Sequence, residues 1–326
     1  MKKDYTFAVA RIRGREMSLL SNAAMEQLLA SKSYDEALHF LADKGWGRSD
    51  ERLTADNLLQ AETEKTWETI GEMVDDMSVF DVYRLADDYH NLKAAIKLCY
   101  TGANMDPERL FVAGGTVEPE RIYKAIREKD YSLLPEGMSA YAAEAYDTLL
   151  HTGDGQLCDV ILDRGALEAT YAAGKKADNE VLRLYATLTV VAANIKIAVR
   201  CGQTGKSLEF IRRALADCQE LNTEALALAA LGGMESVVEY LAGTDYADAA
   251  EALKESPASF ERWCDNLIIR HMKPQKTNPF TIGPLAAYIL ARQNEIKCVR
   301  MVLSAKLNGL PDDMIRERLR EMYVFI

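Results

Sequence analysis

A chain of 326 residues with 48% hydrophobic and 27% charged residues has the balance of a globular protein and enough apolar mass for two or three domains. Its formal net charge of -11 argues against nucleic acid as a partner, because phosphate binding needs a clustered positive field. The six Cys, at 99, 158, 201, 218, 264 and 298, form no CxxC pair and no small disulfide framework, which fits a reducing cytoplasm.

In chain order, the start carries Lys2 and Lys3, and its apolar run is broken by Arg11, Arg13 and Arg15, so it does not read as a secretory signal. Residues 56–74 read as a helix. Val82, Leu85, Tyr89, Leu92, Ile96 and Cys99 recur at helical spacing, with Ser78 and Asp81 as a capping-box-like start and Gly102 as a stop. Residues 119–128 form a shorter helix. Leu182, Tyr185, Leu188, Ala192, Ile195 and Val199 make the next long stripe, with Asp178 as its N-cap. Segments 223–231 and 247–253 come next. Pro284 opens a last long helix through Leu285, Tyr288, Ile289, Ile296, Val299 and Leu303, which Gly309 ends. No run alternates apolar and β-branched residues as a strand would, and no stretch reaches 18 uninterrupted apolar residues, so no membrane span is expected.

The chain also repeats itself. NLKAAIKLCYTG (91–102) is echoed by NIKIAVRCGQTG (194–205) and more loosely by EIKCVRMVLSAKLNG (295–309), at offsets of 103 and 101 residues. CDVILDR (158–164) matches CDNLIIR (264–270) at an offset of 106. These matches imply three copies of one helical unit, with boundaries where Gly and Pro cluster: 1–114, 115–218 and 219–326.

Other motifs have duller accounts. Gly205-Lys206-Ser207 lacks the upstream Gly of a phosphate loop, since position 200 is Arg, and it follows a helix where a phosphate loop follows a strand. Glu36-x-x-His39 and Asp87-x-x-His90 share the spacing of di-iron helix bundles but lack a partner Glu pair. Most of the Cys fall near apolar helix positions and read as small buried hydrophobes. The recurring Lys93, Lys196 and Lys297 either contact a partner or form ion pairs; both readings stay open.

Residues 5–41 carry an aromatic-rich first turn, an Ala-Arg-x-Arg element (Ala10, Arg11, Arg13) and a later Glu36…Leu41. Residues 278–311 carry a proline-started helix with Tyr288, Ile289, Leu290, Ala291 and Arg292, followed by Glu295, Ile296, Lys297 and Arg300. Together with the threefold repeat, these resemble the C subunit of V-type and A-type rotary ATPases, equivalent to the d subunit of the eukaryotic V-ATPase. The resemblance implies an all-α fold of three pseudo-threefold-related helical domains forming a funnel. It implies a non-catalytic socket between the central shaft subunits and the membrane proteolipid ring, with the stator membrane subunit as a further partner. It also implies a peripheral place on the cytoplasmic face of the membrane, without lipid insertion, cofactor or metal. Arg11, Arg13, Arg316, Arg318 and Arg320 are the candidate partner-binding residues. A generic helical-repeat adaptor and an all-α di-iron enzyme are the competing readings.

Overall fold

The computed structural model describes residues 4–103 and 110–324; Lys2 and Lys3 lie outside the described residues. Its helices are α1 (Thr6–Glu16), α2 (Asn22–Leu29), α3 (Tyr34–Asp43), α4 (Ala55–Gly71), α5 (Leu85–Thr101), α6 (Pro119–Glu128), α7 (Glu136–Thr152) and α8 (Gly155–Lys176). They continue with α9 (Glu180–Gln203), α10 (Leu208–Ala214), α11 (Thr223–Leu231), α12 (Met234–Ala242), α13 (Ala247–Glu255), α14 (Pro257–Met272), α15 (Gly283–Leu307) and α16 (Asp312–Arg316). Among the described residues there is no strand, only an isolated bridge between Ser21 and Val324. The all-α expectation is met.

Local chemistry sets many of the ends. Ser33, Asp154, Ser207, Asn222 and Ser256 each accept a first-turn N–H through the side chain, which satisfies a donor that the helix itself leaves orphaned. Gly102 ends α5 in the left-handed region (φ 62°), where a Cβ would be strained. Two expected starts differ. Ser78 and Asp81 fall in a 3₁₀ helix, Met77–Tyr83, and α5 begins after it without a side-chain cap. At α9, Asn179 rather than Asp178 accepts the N–H of Val181, at 2.9 Å.

The chain divides into two compact units. The first comprises Met1–Met77, Asn179–Val181 and Glu251–Ile326; the second comprises Ser78–Asp178 and Leu182–Ala250. In the first unit, α15 packs on α4 and also touches α1, α2, α3, α14 and α16. Every residue from Gly283 to Arg292 is buried. The first ten residues of this helix are therefore enclosed on every side rather than along one stripe, while Lys297, Arg300 and Ser304 further along are exposed. Its second half joins Leu28, Leu41, Leu58 and Trp46 in one core through Val299, Val302 and Leu303. In the second unit α5 packs on α6, α7 and α8 around Leu92, Ile96, Ile126, Ala142 and Ile161. Each fully buried Leu or Ile contributes about 1.5–3 kcal/mol relative to exposure.

Helix α9 has the length and apolarity of a membrane span, and half of its most apolar stretch is buried inside the protein.

Candidate functional site

The repeated motif has a structural job. Its first residue is Asn91 on α5, Asn194 on α9 and Glu295 on α15. Asn91 and Asn194 are both fully buried, and Glu295 nearly so. Asn91 donates from Nδ2 to the Val112 carbonyl at 2.9 Å and accepts the Val112 N–H at 2.8 Å. Asn194 repeats this with Ala216, at 2.8 and 2.9 Å. Glu295 accepts the N–H of Leu20 through a short hydrogen bond, and its neighbour Asn294 donates to the Glu321 carbonyl at 2.9 Å. Each long helix thus pins a loop that has left regular structure. Only a side chain with a backbone-like donor and acceptor can satisfy both groups of a buried peptide.

Helix α5 adds two further grips on the same loop. Asp88 is fully buried and accepts from Thr116 N (2.7 Å), Thr116 Oγ1 (2.6 Å) and Val117 N (3.0 Å). Arg84 donates to the Gly114 carbonyl at 2.8 Å and to that of Gly115. A Cβ on Gly115 would lie 2.2 Å from Asp88 Oδ1, so this approach requires glycine.

In the first unit Glu295 belongs to a buried ionic cluster. Arg292, 5% exposed, is bonded to both Glu62 and Glu295 and lies over the Trp46 ring at 5.2 Å. Lys65 joins Glu62 at 2.7 Å, and the Gly47 N–H donates to Glu62 at 2.9 Å. Burial pushes the Glu295 carboxyl up to about 7, against the pull of Arg292 and the Leu20 N–H. A guanidinium with two carboxylates inside a core costs desolvation and is held by its geometry.

In the second unit a cavity of about 440 Å³ opens between α5, α8 and α9. Ala86, Tyr89, His90 and Lys93 line it from α5, Asp163, Ala166 and Leu167 from α8, and Ala193, Lys196, Ile197 and Arg200 from α9. The equivalent lysines of the first two repeats, Lys93 and Lys196, therefore meet at one site. Lys93 pairs with Asp163 at 2.6 Å, whereas Lys297, in the first unit, pairs with Asp265.

The five arginines singled out in the sequence all lie in the first unit. Arg11 reaches Glu72 at 2.7 Å. Arg13 bonds Glu16 at 2.9 Å and the carbonyls of Gln275 and Asn278, at 2.7 and 3.2 Å. Arg316 pairs with Glu26 at 3.1 Å and Asp313 at 2.8 Å. Arg318 is exposed and lines a smaller cavity with Arg300 and Met314. Arg320 is buried, with its Nε 2.7 Å from Asp265.

His39 and His90 are exposed, and Glu36 accepts the Lys32 N–H at 2.9 Å. Among the described residues no group of three or more His, Cys, Asp or Glu is placed to hold a metal ion. Gly205 turns in the left-handed region (φ 63°), and Ser207 then caps α10. Cys158, Cys201, Cys264 and Cys298 are buried; Cys99 and Cys218 are half-buried.

Sequence reasoning missed Asp88, Glu62 and the clamping role of Asn91 and Asn194. The repeat marked the two asparagines, but nothing local marked their partners.

The family model described as ATP synthase (C/AC39) subunit matches residues 8–318. The C subunit of the V-type sodium ATPase of Enterococcus hirae is 24% identical over 324 residues, covering 96% of this chain and 97% of that protein. The C subunit of the A-type ATP synthase of Methanocaldococcus jannaschii is 23% identical, with 97% and 86% covered. The C subunit of the V-type ATP synthase of Thermus thermophilus is 22% identical, with 98% and 99% covered. A match along nearly the whole chain, on an all-helical fold whose repeat is marked by matching buried clamps, places this protein in the ATP synthase C/AC39 subunit family.

Proposed function

We propose that the chain is a non-catalytic central-stalk subunit of a V/A-type rotary ATPase. It acts as a socket that seats the central shaft on the membrane proteolipid ring and so supports ATP-driven ion transport or ATP synthesis. In this reading three helical repeats, 1–114, 115–218 and 219–326, close around an axis as a funnel. The complex holds the protein at the cytoplasmic face of the membrane, where it touches the shaft subunits, the ring and the stator membrane subunit, and it hydrolyses nothing itself.

The observation that supports this most is the third clamp. Asn91 and Asn194 each grip a loop 21 or 22 residues further along, whereas Glu295 grips Leu20, 275 residues back. In this reading the last repeat grips the loop beyond its own helix, through Asn294 and Glu321, and also the first repeat, through Glu295 and Leu20, as a ring of repeats would. A closed set of repeats has no free end to fray, which suits a part that must stay stiff under torque.

The test is co-purification. A tagged chain recovered from gently solubilised membranes should bring down a long coiled-coil shaft subunit and a proteolipid. Recovery of the tagged chain alone at moderate salt would remove the proposal.

A further inference from the structure

A smaller cavity, of about 280 Å³, lies in the first unit where α15 ends and the chain turns back through α16. Arg300, Met301 and Ser304 line it from α15, and Leu310, Met314 and Arg318 from the segment that follows. Among the described residues no carboxylate lines it, in a chain whose net charge is -11. Neither the Arg300 nor the Arg318 guanidinium has a hydrogen bond or ion pair among the described residues. The nearby acids are engaged elsewhere: Asp312 with Lys306 at 2.6 Å and Asp313 with Arg316 at 2.8 Å. The buried Arg320, held by Asp265 at 2.7 Å, fixes two of the walls. It donates to the Arg318 carbonyl and lies 3.4 Å from the Met301 sulfur. Leu307, Leu310 and Met314 follow one another around this turn, and all three are exposed.

We propose that this cavity takes the phosphate of an anionic phospholipid headgroup, with Leu307, Leu310 and Met314 resting in the membrane interface beside it. Arg300 and Arg318 sit on different elements, so tertiary packing and not helical period brings them to one cavity. Each guanidinium offers a fork of N–H donors that matches phosphate oxygens, and the Ser304 hydroxyl adds another donor. The lining side chains suit a peptide poorly. Its N–H groups need acceptors, and the Ser304 hydroxyl is the only oxygen among those side chains. A phosphodiester head presents acceptors and carries apolar chains, so it answers both the arginines and the exposed Leu and Met side chains. A free phosphate brings nothing for the apolar ones to cover. The volume admits a headgroup and leaves the acyl chains in the bilayer. This is contact from the water side and not a span. The inference goes beyond the socket reading and does not depend on it.

The experiment floats the purified full-length chain with phosphatidylcholine vesicles that contain or lack phosphatidylglycerol. The chain should partition onto the anionic vesicles and stay off the neutral ones. Arg300→Gln and Arg318→Gln should each weaken that partition by about fivefold, the loss expected for one cation near the surface. Leu310→Ser combined with Met314→Ser should weaken it at high salt as well, where charge attraction is screened. Arg52→Gln, at an exposed residue of the same unit, should leave it unchanged. Circular dichroism checks that each variant keeps its helices. If the wild-type chain stays off the anionic vesicles, or if both arginine variants partition as the wild type does, the proposal is overturned. If calorimetry shows inorganic phosphate bound by the wild type and by neither arginine variant while the vesicles bind none, the cavity is a free-phosphate site and the lipid proposal falls. If a polyglutamate peptide binds the wild-type chain more tightly than the vesicles do, the cavity belongs to an acidic protein segment and the proposal falls. Each of these failures leaves the socket function standing, because co-purification tests it separately.

Discussion

Asn91 and Val112 hold each other through both backbone groups of Val112, with hydrogen bonds of 2.9 and 2.8 Å made by one buried amide. Asn194 holds Ala216 in the same way. Two equivalent residues of a repeat thus perform the same operation on two loops of unrelated sequence.

Replacing either asparagine by Ala leaves a backbone donor and acceptor without their partner. Asn194→Ala is the sharper case, because Ala216 is fully buried and water cannot substitute. The expected cost is about 1–3 kcal/mol for each group left unsatisfied. Hydrogen exchange should rise at the loop containing Ala216 in Asn194→Ala, and at residues near Val112 in Asn91→Ala. Unchanged protection at both loops would show that the clamps are incidental.

Arg292 neutralises two buried carboxylates, Glu62 and Glu295. Arg292→Met leaves Glu295 without a cation and Glu62 with Lys65 alone, and is expected to cost about 3–5 kcal/mol at high pH and less where Glu295 takes up a proton. Arg292→Met combined with Glu295→Gln removes one stranded charge, and Lys65 still serves the other at 2.7 Å. The double variant should therefore be more stable than the single one. Urea unfolding midpoints of the three proteins check this, and a single variant as stable as the wild type would contradict it.

Glu295 also makes stability depend on pH. Its carboxyl titrates near 7 in the folded protein, mainly through burial, against an ordinary value of 4.5. Between those values the folded state holds a proton that the unfolded state has lost. The contribution is complete below pH 4.5 and disappears as pH rises through 7. Its upper size is about 3 kcal/mol. Glu295→Gln keeps a neutral acceptor for Leu20 and abolishes the titration. The variant should gain stability relative to wild type between pH 5 and pH 8, measured as the difference in urea midpoint. A constant difference across that range would exclude this role for Glu295.

The sequence alone marked α4, α5, α6, α9, α11, α13 and α15, because hydrophobic periodicity and capping are local properties of a few neighbouring residues, while α2, α7, α10, α12 and α14 went unread. The segments 119–128 and 223–231 coincide with α6 and α11. It also exposed the repeat, since copies of one unit leave the same residues at matching positions. It could not say what Asn91, Asn194 and Glu295 do, because Val112, Ala216 and Leu20 are 21, 22 and 275 residues away and become partners only when the backbone brings them close. Arg320 makes the same point. In the sequence it is one of three alternating arginines offered as partner-binding residues, but in the fold it is 6% exposed and bonded to Asp265, 55 residues earlier. Tertiary structure decided which charges meet water and which meet each other, because burial is a property of the packed chain and not of any single stretch of it.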